Sequence, residues 1–123
     1  MDIEEGEFDW VESMTKESLL SIKQLCMEIH GRTHLFMRSL DLMKKLSETH
    51  YLVHVHPNNW ANRTVIVNGV AIPEVIETTL LRKDCFLEPP KLNTRKFPKA
   101  GLDCKNHARF DDINMNFPPF VNV

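Results

Sequence analysis

Gln24-Leu-Cys-Met-Glu-Ile-His30 and Tyr51-Leu-Val-His-Val-His56 are the two stretches on which the fold reading turns. The first is strand-like and bounded by Gly31. The second is a β-branched run of period two, stopped by Pro57 and two asparagines. Between them, from His34 to about Glu48, Phe36, Leu40, Met43 and the adjacent Leu42 and Leu46 recur at helical spacing. Lys44, Lys45 and Glu48 take the opposite side, with the two lysines near the C-terminal end that the helix dipole favours for cations. Strand, helix, strand predicts a parallel sheet with a helical crossover.

Working outward, Met1 to Glu4 reads as the end of a strand. Glu7 to Met14 reads as a short helix with Phe8, Val11 and Met14 on one side. Downstream, Thr64-Val-Ile-Val67, Asn68-Gly69 and Val70-Ala-Ile72 form the strongest hairpin signal, because Asn-Gly supplies the positive φ angles of a type I′ turn. Val75 to Leu81 is a further strand. A hairpin joining the closing strands predicts an antiparallel edge. The expected fold is therefore α/β, the C-terminal half of a doubly wound, Rossmann-like sheet with an antiparallel closing hairpin. Residues 1–88 hold the pattern. Residues 89–123 hold five of the seven prolines, which predicts an extended or partly disordered surface tail. Met27, Met37 and Met43 fall on patterned positions and read as core.

At 123 residues and 14.3 kDa the chain suffices for one domain. Fifteen basic against seventeen acidic side chains leave a formal charge of -2, which argues against a dedicated nucleic-acid binder. No apolar run is long enough for a membrane-spanning helix. Met1-Asp-Ile-Glu-Glu5 shows neither the basic nor the apolar region of a signal peptide. Cys26, Cys85 and Cys104 are odd in number and widely spaced, as neither a disulfide scaffold nor a zinc site would be. Cys26 and Cys85 fall in apolar runs and read as small buried hydrophobes. The compartment is left open.

Asp2-Ile-Glu-Glu-Gly-Glu-Phe-Asp-Trp-Val11 closely resembles a segment of class I S-adenosylmethionine-dependent methyltransferases of the FkbM-like and metazoan methyltransferase-like groups. In that family the segment ends the fourth strand and opens the following helix. Met27-Glu-Ile-His30 resembles the family's fifth strand, Thr49 through Asn59 its sixth, and Pro73 through Lys83 its closing strand. The tail, Leu102 to Asn106 and Asp112 to Met115, is similar to a recurrent family ending. One departure is Glu5, where the family usually has glycine. The resemblance places Met1 inside a strand and implies S-adenosylmethionine as methyl donor. The family holds that donor on a glycine-rich loop after the first strand. Here Gly6, Gly31, Gly69 and Gly101 are too dispersed to form one, so no residue is assigned to cofactor binding.

The resemblance puts Asp2 and Glu4 at the carboxyl end of a central strand, lining the transfer cleft. Carboxylates there could take a proton from an acceptor hydroxyl or hold a divalent ion. His30, at the next strand's end, suits a general base near neutral pH. Asp2, Glu4 and His30 are thus the candidate catalytic residues. Glu28, two residues before His30 and on its face, and Asn58 and Asn59 are the candidate substrate-binding residues. Glu7 and Asp9 read as complements to a helix dipole. His54 and His56 share a face at a spacing usable for a metal, but no third ligand is identifiable and no metal is assigned. Trp60 suits either a sugar-binding loop or a cap on the core.

The function implied is methyl transfer to an oxygen of a small molecule or sugar, by the C-terminal portion of a methyltransferase lacking its donor-binding half. Such a chain is expected to be inactive alone or to need a partner. The alternative is a noncatalytic remnant serving as a binding or structural module.

Overall fold

Alternation along Gln24–His30 becomes burial: Leu25, Met27 and Ile29 are enclosed while Gln24 and Cys26 are exposed. In the computed structural model, which describes residues 1–60 and 62–122, this stretch is β1. It follows helices α1 (Gly6–Ser13) and α2 (Lys16–Leu20). A 3₁₀ turn at Thr33–Leu35 leads into α3 (Phe36–Ser47), and then come β2 (His50–Pro57), β3 (Thr64–Val67), β4 (Val70–Pro73) and β5 (Val75–Arg82). No helix among the described residues is long and apolar enough to cross a membrane.

The protein is mixed α/β, with a three-stranded sheet of order β1-β5-β2 and a separate two-stranded sheet β3-β4. Both corrections to the expected sheet follow from β5. It lies between β1 and β2 and pairs antiparallel with each, so the two strands joined by α3 share a direction but not a hydrogen bond. The hairpin is not the edge of the main sheet. Its turn is as expected, with φ of 50° at Asn68 and 81° at Gly69, but its strands pair only with each other. On the other side of β1, the Met1 amine donates to the Cys26 carbonyl (2.7 Å) and the Glu28 N–H donates to the Met1 carbonyl (2.9 Å). That is one bridge of a parallel pairing, at the end of the segment expected to close a strand.

The core lies on one face of the sheet, where Phe8 and Val11 of α1, Leu19 of α2 and Leu42 and Leu46 of α3 meet Leu25, Met27, Ile29 and Leu80. Burying Leu46 and Phe8 completely contributes roughly 1.5–3 kcal/mol each. Lys45 donates to the Glu12 carbonyl (2.9 Å), placing an ammonium at the negative end of α1, which has no basic residue in its own last turn. The helical stripe of α3 is rotated from the expected one. Leu40 and Met37 face solvent, at 49% and 67% exposure, and Leu35, Leu42 and Leu46 carry the burial. Cys26 and Cys85 are exposed thiols rather than the buried hydrophobes expected, and Cys104 is exposed as well.

Residues 89–122 contain no helix or strand, yet they pack. Met115 and Val121 are buried, and Asn59 fastens one turn of the tail. Its amide donates to the carbonyls of His107 and Phe110 at 3.1 and 3.0 Å, and its oxygen accepts the His107 N–H at 2.8 Å. The total surface of 8013 Å² exceeds the roughly 6,800 Å² expected of a compact monomer of this mass.

Candidate functional site

Strand register assembles the site. Glu28 stands opposite Glu77 on β5, and Glu77 stands opposite His56 on β2, so three titratable groups line up on the face away from the helices. His30 is two residues further along β1 on that face, at the strand end. A cavity of about 420 Å³ opens there, lined by Asp2, Glu4, Glu28, His30 and Asn58 together with Arg32, Trp60, Arg63, Glu74 and Val75.

His30 is fixed from behind. Its backbone N–H donates to Glu7 Oε1 at 2.8 Å, and its ring Nδ1 lies 2.9 Å from the same oxygen. Both side chains are buried, at 5% and 0% exposure. An ionised carboxylate only accepts, so Nδ1 carries the hydrogen and Nε2 is the basic nitrogen of the neutral ring. Nε2 makes no hydrogen bond among the described residues, and the carboxylate in ion-pairing range is that of exposed Glu4, at 3.5 Å. Glu7 therefore orients the imidazole and is not merely a complement to a helix dipole.

Glu28 accepts a hydrogen bond from the Asn58 amide at 2.8 Å. Burial holds its carboxyl above the usual range; the Asn58 bond opposes that rise and the nearby Asp2 charge adds to it. One ring nitrogen of His30 and one carboxylate oxygen each of Asp2 and Glu28 lie within 4.8 Å of one another. Glu4 and Glu5, at φ of 50° and 75°, turn the chain from the Met1 bridge into α1 and bring Glu4 over the ring.

Five of the six residues singled out in the sequence, Asp2, Glu4, Glu28, His30 and Asn58, thus share one cavity. Asn59 does not. Beyond the end of β2 the two amides part, Asn58 facing Glu28 while Asn59 is buried against the tail. Trp60 caps no core; it is 66% exposed and stands edge-on to His107, with ring centroids 4.8 Å apart. His54 and His56 face carboxylates of β5 and the tail. His54 Nε2 lies 2.6 Å from Asp103, and His56 Nδ1 lies 3.1 Å from Glu77. His56 Nε2 and Asp112 Oδ1 face each other at 3.9 Å, both buried and neither hydrogen-bonded.

No protein-family model, no curated protein and no solved structure matches the chain.

The described residues do not fit S-adenosylmethionine on their own. Gly69 and Gly101 lie in turns where a Cβ would meet nothing within 4 Å, and a Cβ at Gly6 would be crowded by Ile3 at 3.3 Å. None of them forms a backbone cradle of the kind that admits a phosphate or ribose.

Proposed function

We propose that this chain is the acceptor side of an S-adenosylmethionine-dependent O-methyltransferase, with the donor held by sequence outside it. The observation that carries the reading is the convergence of Asp2, Glu4, Glu28 and His30 at adjoining strand ends on one cavity. The resemblance of the strand segments supports it, as does a parallel bridge at Met1 on the outer edge of β1, where a doubly wound sheet would continue. The finer fold belongs to the same proposal: β1, β5 and β2 as the last strands of a Rossmann-like sheet.

In this reading the cofactor supplies an electrophilic methyl group, and the residues described supply the base and the orientation. His30 Nε2 takes the proton of the acceptor hydroxyl while Glu7, bonded to Nδ1, holds the ring in place. Glu28, braced by Asn58, accepts a hydrogen bond from a second hydroxyl of a small molecule or sugar. Trp60 offers an aromatic face at the rim.

The test is transfer of labelled methyl from S-adenosylmethionine to a panel of small hydroxylated molecules and sugars, using a polypeptide extended upstream of Met1. His30→Asn should lower kcat by about 10²–10⁴ and leave donor binding intact. Loss of donor binding in that variant, or no loss of rate, would contradict the assignment. No donor binding and no transfer by either length would leave a noncatalytic binding module.

A further inference from the structure

We propose that Asp2, Glu28 and His30 form a binding site for a divalent cation of Mn²⁺ type. The sequence assigned no metal, and the histidine pair it weighed as ligands, His54 and His56, is engaged by carboxylates. The chemistry lies instead where two strand ends meet.

Three observations support the site independently of the methyl-transfer reading, and because Glu7 holds Nδ1, a cation on Nε2 and proton abstraction by Nε2 exclude one another. The first is proximity: the three candidate donor atoms lie within 4.8 Å of one another. A metal with bonds of roughly 2.1–2.3 Å keeps its donors about 3–4.5 Å apart. Asp2 is exposed, so its carboxylate is free to rotate on binding an ion.

The second is the state of His30. Its side chain is 5% exposed, its Nδ1 is taken by Glu7, and its Nε2 makes no hydrogen bond among the described residues, with the Glu4 carboxylate 3.5 Å away. The ring is thus held in one orientation with Nε2 left free to accept a ligand.

The third is the outer layer. Metal-bound histidines commonly donate their remaining N–H to a carboxylate, and metal-bound carboxylates are themselves hydrogen-bonded. Glu7 does the first for His30, and Asn58 does the second for Glu28.

One imidazole and two carboxylates suit a hard-to-borderline divalent ion. Mg²⁺ keeps mostly oxygen and water ligands, and a soft ion would call for thiolates. Three protein ligands leave coordination positions facing the cavity, open to water or to an oxygen-bearing ligand.

The test is titration of the whole chain, stripped with chelator, with Mn²⁺, counting free ion by its electron paramagnetic resonance signal. One ion per chain is expected. Asp2→Asn and Glu28→Gln should each weaken binding at least tenfold, and His54→Ala should not change it. Asp2 is exposed and Glu28 partly so, and a matching thermal transition by circular dichroism would show that both variants remain folded. Absence of Mn²⁺ binding would overturn the proposal. So would an ion bound with unchanged affinity in both acid-to-amide variants.

Discussion

His30 and the pair His54 and His56 occupy one face of one sheet, yet their surroundings separate them. Each ring has a carboxylate on one nitrogen. At His30 that carboxylate comes from α1, behind the strand, and Nε2 is turned to a cavity. At His54 it comes from Asp103 in the tail, and His56 Nε2 faces Asp112 of the same tail. A histidine braced from behind is presented. A histidine met from the front by a segment some fifty residues away holds that segment down. What separates the rings is where the second nitrogen faces: the strand-end cavity at His30, and Asp112 of the tail, without a hydrogen bond, at His56.

The sharpest way to break this comparison is to remove the brace. Glu7→Ala strips a fully buried carboxylate from both the His30 N–H and its ring, and should lower unfolding free energy by about 3 kcal/mol in urea denaturation. A loss below about 1 kcal/mol would mean that His30 is positioned by something else. On the other side, Asn59→Ala removes three hydrogen bonds to the tail and should cost about 2 kcal/mol. Its signature is local, with faster amide exchange at His107 and earlier proteolytic cleavage of the tail, while the Glu7 variant leaves the tail protected.

Asp103→Asn is the next smaller change. Asp103 receives the Lys99 N–H on one oxygen and pairs with His54 on the other, so an amide must present a donor to one of them. About 1 kcal/mol should be lost, with His30 chemical shifts unmoved. The smallest effect belongs to Glu28. Its carboxyl titrates above the ordinary range because burial disfavours the charged form, so the folded protein keeps this proton longer than the unfolded chain. That contribution to stability is complete below the ordinary carboxylate range and is lost as pH rises through the raised value. Glu28→Gln should abolish this loss, raising stability at pH 7 by a few tenths of a kcal/mol after solvent screening, with no gain at pH 3.

What could be read from the sequence was local. The two-residue period of Gln24–His30, the Asn68-Gly69 turn and the apolar recurrence before Glu48 are each decided within a few residues, and all three elements form. The place of β5 was not readable, because alternation says which residues face a core but not which strand is the neighbour. Glu7 was missed for a similar reason. A glutamate in a first helical turn has a sufficient local explanation, and its partner is 23 residues away. The Asn59 clasp on the tail rests on contacts 48 to 51 residues apart, made by a side chain with no periodicity to announce it. Asn59 lies, like Asn58, beyond the strand that ends at Pro57, so no period told the two amides apart.

Whether the proposed methyl donor binds, and to which length of polypeptide, is the deciding question, and isothermal titration of S-adenosylmethionine answers it directly. Titrated into this chain and into the polypeptide extended upstream of Met1, the donor should bind the longer polypeptide alone, with His30→Asn leaving its affinity unchanged. Tight binding by residues 1–123 alone, or no binding by either, would contradict the assignment of this chain as the acceptor side of a methyltransferase.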